Sequence, residues 1–239
     1  MFSFNKIKAS DMGLRVLNNI TLDSPNRNKN LIQIPGRNGS LVTDNNRYDD
    51  ILRSIPCRLE TGTGQDVETM AAKISSWLGV ADYHEFLWHQ DPDFIYSALV
   101  ENGVATRRRL ARLADILINF RIYPIKYLRS SMIERAVDNG RVLVNSLDLA
   151  ANPLVRVVGT GLVILSIGTK TMEVNIPADA GGCLIDSETF TIKSLANDIP
   201  LFSNASGVFP TLAVGNNLVS WESANEIQVF VTPRLGALI

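Results

Sequence analysis

The chain is short of the residues on which most enzyme chemistry depends. Its 239 residues include only two histidines and two cysteines, so a catalytic triad or a histidine-based metal centre would have to draw on His84 or His89. These are five positions apart, a spacing that puts them on different faces of a helix or a strand, whereas a zincin needs two histidines four apart with a glutamate beside the first. Pro92 stops any helix before Asp93. The stretch from Asp82 to Asp93, with both histidines and four carboxylates, therefore reads as a polar turn feeding the next strand. Neither cysteine has a histidine near it in sequence, and no Gly-x-Ser-x-Gly elbow occurs, which removes the usual local signatures of nucleophilic catalysis. Cys57 and Cys183 lie far apart in apolar surroundings, as reduced, buried thiols do.

Other absences narrow the partners. No apolar run approaches the roughly 18 residues of a membrane helix, and MFSFNKIKAS lacks a charged segment followed by an apolar one, so neither membrane insertion nor Sec export is expected. The sequons at Asn19, Asn38 and Asn204 accordingly read as chance matches. The 23 basic and 24 acidic residues leave a net charge of −1, too little to steer the molecule to nucleic acid or anionic lipid. One basic run stands out, Arg107, Arg108 and Arg109 with Arg112 and Lys126 nearby. No aromatic residue interleaves it, so it reads as a solvated strand or a protein contact and not as a phosphate site. Two Gly-Thr-Gly triplets, at 62–64 and 159–161, lack the Gly-Lys-Ser/Thr that a phosphate cradle needs.

What the chain does have is a hydrophobic share of 46% against 20% charged, ample for a folded core. Its most informative stretch is Pro35 to Asp50. Pro35, Gly36 and Gly39 are turn formers, and Asn38-Gly39 suits a two-residue turn between strands. Leu31 to Ile34 reads as a half-buried strand before it, and Ile51, Ile55 and Cys57 share one strand parity after it. Val67, Met70, Ala71, Ile74, Trp77 and Leu78 form one stripe at helical spacing, with Asp66 and Glu68 at the start and Gly79 at the end, which predicts a helix from Gly64 to Leu78. Phe94–Val100, Ala114–Tyr123, Leu162–Ile167, Met172–Ile176, Thr189–Ile192 and Ile227–Thr232 read as strands. A polar stretch with Asn139-Gly140, Asn145 and Asn152-Pro153 marks a boundary. The expected fold class is mainly β in two domains: 1–144, sandwich-like with one α-helix and a β-hairpin, and 145–239, a β-sandwich with closely spaced turns.

The order of these features carries a resemblance. The run Pro-Gly-Arg-Asn-Gly-Ser, then Arg47-Tyr48-Asp49-Asp50, a helix ending Trp77-Leu78, and Asp91-Pro92-Asp93 leading to Tyr96-Ser97-Ala98 resembles the distal tail proteins of siphophages. Asn152-Pro153, Gly159-Thr160-Gly161, Ile185-Asp186-Ser187-Glu188 and Gly215-Asn216-Asn217, ending near Pro233-Arg234, looks like the same family's C-terminal domain. The resemblance implies a structural virion protein at the tail tip, assembled in the host cytoplasm, with no enzymatic activity, cofactor or metal. Its N-terminal domain would build a hexameric ring, in isolation as one ring or two stacked. That ring would join the major tail tube protein to a tail-associated lysin, fibre or baseplate protein, while a galectin-like C-terminal domain projects outward. DNA would meet it only in transit through the channel.

Under that reading Gly36, Arg37, Asn38 and Gly39 of the hairpin, Arg47, Tyr48, Asp49 and Asp50 beyond it, and Arg107, Arg108 and Arg109 are the candidates for contacts between copies. The competing reading is a two-domain carbohydrate-binding adhesin that contacts the host cell surface. There Trp221, the sole tryptophan of the second half, would be the candidate glycan platform.

Overall fold

The structure, a computed structural model, describes residues 1–17, 23–101 and 103–239. The sequon at Asn19 lies outside the described residues. Two compact units result, Met1–Lys126 with Leu238–Ile239, and Tyr127–Ala237.

The first unit is built on β1 (Phe2–Phe4), β2 (Ile7–Lys8), β3 (Leu14–Val16), β4 (Arg27–Gln33), β5 (Ser40–Tyr48), β6 (Ile51–Glu60), α1 (Val67–Leu78), β7 (His84–Trp88), β8 (Phe94–Val100), β9 (Ala105–Leu110) and β10 (Leu113–Ile122). Its main sheet runs β2-β1-β7-β8-β10-β6-β3. Strand β10 is the centre: one edge pairs with β6 along its whole length, and the other is divided between β9 at Leu113–Leu117 and β8 at Phe120–Ile122. The alternation predicted for β6 holds, with Ile51, Ile55, Cys57 and Leu59 buried. Helix α1 buries its predicted stripe of Val67, Met70, Ile74, Trp77 and Leu78. It starts later than the periodicity suggests, because Asp66 takes the N-cap position and its carboxylate accepts the Thr69 N–H at 2.6 Å. Gly79 closes it with φ −78° and its N–H on the Ser75 carbonyl at 2.9 Å, without a left-handed cap.

An aromatic cluster joins the helix to the sheet. Trp77 donates its indole N–H to the Phe4 carbonyl at 3.0 Å. Phe2 stacks on Phe86 at 5.4 Å, and Phe120 meets Phe2 edge-on at 5.6 Å. Strand β7 corrects the sequence reading of 82–93 as a polar turn. Its Phe86 and Trp88 are buried and pair with β1 on one side, while β8 pairs on the other. The histidines and acids in and beside it hid this strand, although only Glu85 among them takes an outward-facing position.

Strand β11 (Ile125–Leu128) carries the chain into the second unit. There follow β12 (Arg135–Val137), β13 (Arg141–Asn145), β14 (Leu154–Val158), β15 (Gly161–Ile167), β16 (Lys170–Ile176), β17 (Gly182–Asp186), β18 (Thr191–Ser194), β19 (Ala205–Gly207), β20 (Gly215–Ser223), β21 (Gln228–Thr232) and β22 (Gly236–Leu238). Strands β12 to β21 make two five-stranded antiparallel sheets, β12-β21-β14-β17-β18 and β13-β20-β15-β16-β19. Val155, Val157, Ile185 and Val231 of the first share one core with Val163, Leu165, Val174 and Val219 of the second. Strand β12, which precedes the boundary read from sequence at 144/145, and β13, which straddles it, pair with β21 and β20 of this unit.

Packing here leaves no space at Gly182: a Cβ there would stand 2.3 Å from the Val157 carbonyl oxygen. The strand expected at Thr189–Ile192 forms later, at Thr191–Ser194, because the Asp186 carboxylate accepts the Glu188 N–H at 2.9 Å and holds the preceding residues in a turn. That turn is further tied by Arg234, whose guanidinium donates to both Asp186 carboxylate oxygens at 2.7 and 3.2 Å.

Candidate assembly surfaces

Among the described residues, strands β4 and β5 pair with each other and with no other strand. This is the hairpin that the turn residues announce, although its details differ from the sequence reading. The partner of β4 is Ser40–Tyr48, a stretch too polar to read as a strand, and not the strand that begins at Ile51. The tight turn falls at Pro35-Gly36, where the Arg37 N–H reaches the Ile34 carbonyl at 3.1 Å and Gly36 has φ 81°. That is the type II arrangement, with proline at the first central position and glycine at the second. Asn38-Gly39 lies within the same connection, Gly39 at φ 80°.

The hairpin is exposed along nearly its whole length, so the expected half-burial of Leu31 to Ile34 is not found. Its outer half is nonetheless apolar on both faces. Leu31 stands opposite Val42 on one face and Ile32 opposite Leu41 on the other, since directly paired residues share a face and neighbours alternate. The inner half is polar and self-satisfied. Arg27 donates to Asp44 at 2.6 Å and lies 5.5 Å from the centre of the Tyr48 ring, Asn28 donates to Asp49 at 2.8 Å, and the Asp49 N–H bonds the Asn26 carbonyl at 2.9 Å. The Asn46 N–H and the Arg27 guanidinium both hold the Asp44 carboxyl below its ordinary range.

The charged candidates divide into two sets. Asp50 accepts the Tyr83 hydroxyl at 2.6 Å and lies 3.6 Å from the Arg121 guanidinium, which also pairs with Glu101. Arg108 meets Glu68 of α1 at 2.6 Å, and Arg109 shares Asp115 with Arg58. Those groups are engaged within the chain. Arg37, Arg47 and Arg107 are exposed and form no ion pair among the described residues. The sequence could not separate the sets, because the partners are from 6 to 71 positions away.

Trp221 is half-buried against the core of the second unit, and its backbone N–H and carbonyl are both held by Asn139, at 3.0 and 2.8 Å. More exposed is an aromatic group in the same unit. Phe190 and Phe202 flank Phe209 at 5.4 and 6.2 Å, and Phe190 holds φ 53°.

The chemical candidates are not drawn together. Among the described residues no group of three or more metal-ligating side chains is assembled. His84 rests its ring against the edge of Phe4 at 6.1 Å. Both thiols are buried, and burial pushes each up to about 12. No described helix is long and apolar enough to cross a membrane.

No protein-family model and no curated protein sequence matches the chain. Among solved structures it is similar to SPP1 Dit (gp 19.1), described as a paradigm of the hub adsorption apparatus in phages that infect Gram-positive bacteria. The likeness has a TM-score of 0.69 over 96% of each chain at 13% sequence identity. Mainly β, with one α-helix among the described residues, the chain has the fold of this Dit hub protein.

Proposed function

We propose that the chain is a structural protein of a phage tail tip, forming a hexameric ring that joins the tail tube to the adsorption apparatus. The observation that carries this reading is the β4–β5 hairpin, a two-stranded element with apolar side chains exposed on both faces and paired to no further strand among the described residues. Such a ribbon is marginal in water, and its exposed edges invite pairing with another chain. Burial of Leu31, Ile32, Ile34, Leu41 and Val42 against a second copy would contribute about 1.5–3 kcal/mol for each side chain fully covered. On this reading the hairpin meets a different surface of the neighbouring copy, a head-to-tail contact that closes into a ring where its rotation completes a circle. Arg37 and Arg47, on the same hairpin and without an ion pair among the described residues, are the charges available to select the register with a neighbour.

The likeness to a hub protein supports the same reading. On it, the partners are the major tail tube protein on one side and a tail-associated lysin, fibre or baseplate protein on the other. The location is the virion tail tip after assembly in the host cytoplasm, and the second unit is the galectin-like domain. Arg107 then faces a neighbouring subunit, and DNA passes without being gripped. The carbohydrate-binding alternative finds its best surface at Phe190, Phe202 and Phe209, not at Trp221.

Light scattering coupled to gel filtration tests the reading. The expected mass is that of a hexamer or a stacked pair of hexamers, alone or after addition of tail tube protein. A glycan-dependent retention without any self-association would favour the adhesin.

A further inference from the structure

Strand β6 alternates buried and exposed positions, and Arg53 occupies a buried one, between Ile51 and Ile55 and opposite Phe120. Only 4% of it is exposed. Its Nε is buried without a hydrogen-bond partner, and its guanidinium makes no ion pair among the described residues. An arginine cannot shed its proton to escape such a site, so an uncompensated one points to a missing partner. Burial pulls its pKa down, and the electrostatic influence of Tyr96 and Asp23 opposes that only in part.

Arg53 opens on a cavity of about 260 Å³ in the first unit, walled by Trp88 and Tyr96, with Gln90, Asp91 and Lys126 around it. Two acceptors there are already engaged. Asp91 takes the Lys126 ammonium at 2.6 Å and the Tyr96 hydroxyl, and the Gln90 side-chain oxygen takes the Trp88 indole N–H at 2.9 Å. The exposed Asp23 carboxylate forms no ion pair with Arg53 among the described residues. What remain without acceptors are the Arg53 guanidinium and the Gln90 amide. A planar, acceptor-only group that can meet a guanidinium with two oxygens satisfies them. Asp23 and Asp91 also line the cavity, and their repulsion disfavours a doubly charged phosphate over a singly charged group. The aromatic walls suit a short aliphatic stem.

We propose that this cavity is a carboxylate-binding site in which Arg53 receives a carboxylate carried on a short aliphatic chain. The source is an acidic side chain of a neighbouring polypeptide or a free small carboxylic acid. The site lies within the first unit and does not depend on the hub reading.

The test uses the full chain at constant ionic strength, following tryptophan fluorescence and the thermal midpoint during titration with four probes. These are butyrate, N-acetyl-glutamate N′-methylamide, the neutral isostere butyramide, and inorganic phosphate. The expected result is a saturable rise in thermal midpoint with a carboxylate probe, as a ligand of the native state alone produces, and no response to butyramide. The response is lost in Arg53→Met, and its thermal part is kept in Trp88→Phe. Preference for the capped glutamate over butyrate assigns the site to a protein side chain; the reverse assigns it to a free acid. Equal responses to butyrate and butyramide, a response to phosphate alone, no response to any probe, or persistence in Arg53→Met would each overturn the proposal. If Arg53→Met fails to fold, the comparison of butyrate with butyramide on the unaltered chain decides.

Discussion

Leu31 stands directly opposite Val42 in the β4–β5 ladder, and the two are 68% and 54% exposed. Cross-strand apolar pairs ordinarily stabilise a sheet by packing against a further layer. Here none is present within the first unit, and the next pair, Ile32 and Leu41, faces the other way. The first prediction follows from that exposure. Replacing Leu31→Asn and Val42→Thr together leaves the unfolding free energy within about 0.5 kcal/mol, as surface changes do, while the mass measured by light scattering falls toward that of a single chain. Urea denaturation supplies the first quantity.

Two glycines with positive φ separate backbone conformation from packing. Gly36 has φ 81° with nothing within 4 Å of a built Cβ, whereas a Cβ on Gly182 would meet the Val157 carbonyl oxygen at 2.3 Å. Gly36→Ala therefore costs roughly 1–2 kcal/mol, the left-handed penalty alone. Gly182→Ala adds a clash with backbone and costs about 3 kcal/mol or more. Denaturant unfolding of the two variants gives the comparison.

Gly39 belongs with the first case, at φ 80° in open space. Gly39→Val is expected to impair association more than it lowers the thermal midpoint, because the hairpin tip touches little of its own chain. Scattering and calorimetry on the same sample test this.

Asp186 and Arg234 make the second unit sensitive to acid. Burial alone would raise the Asp186 carboxyl, but Arg234 and the Glu188 N–H outweigh it, and its pKa is held below the ordinary value. A carboxyl lowered on folding contributes stability above its unfolded value of about 3.9 and loses it as pH falls through the folded one. Asp186→Asn is expected to cost about 1.5–3 kcal/mol near neutrality, the scale of a hydrogen bond to a charged group. The gap from the unaltered chain then closes below the unfolded value. Chemical denaturation across that pH range measures it.

The thiols offer a control on the packing. With both cysteines buried and pushed up to about 12 by that burial, neither forms thiolate at neutral pH in the folded chain. A disulfide-exchange reagent is expected to modify both in denaturant and neither in native buffer on the timescale of the unfolded reaction.

Much of the fold was legible because burial on one face leaves a period in the sequence. The stripe from Val67 to Leu78 and the parity of Ile51, Ile55 and Cys57 were read correctly, since a core selects for both. Strand β5 was not, because an element with no layer beneath it is under no such selection, and SLVTDNNRY carries no alternation. Strand β7 was masked for another reason: its outward positions hold Glu85 and Leu87 while His84 begins its inward face, and the polar pair His84-Glu85 suggested a turn. Arg53 shared the parity of buried residues, yet only the structure shows that its guanidinium is enclosed and unpaired. The candidate surface was legible in part. Turn residues marked the hairpin, but its partner strand, and which arginines are left free, depend on contacts up to 71 positions apart.

Ring formation through the hairpin is tested by negative-stain electron microscopy of the purified chain beside the Leu31→Asn, Val42→Thr variant, each with and without tail tube protein. Six-fold rings from the unaltered chain, and scattered single particles from an equally folded variant, are the expected images. Single particles from the unaltered chain in both conditions, or identical rings from the variant, would remove the hairpin from its assigned role.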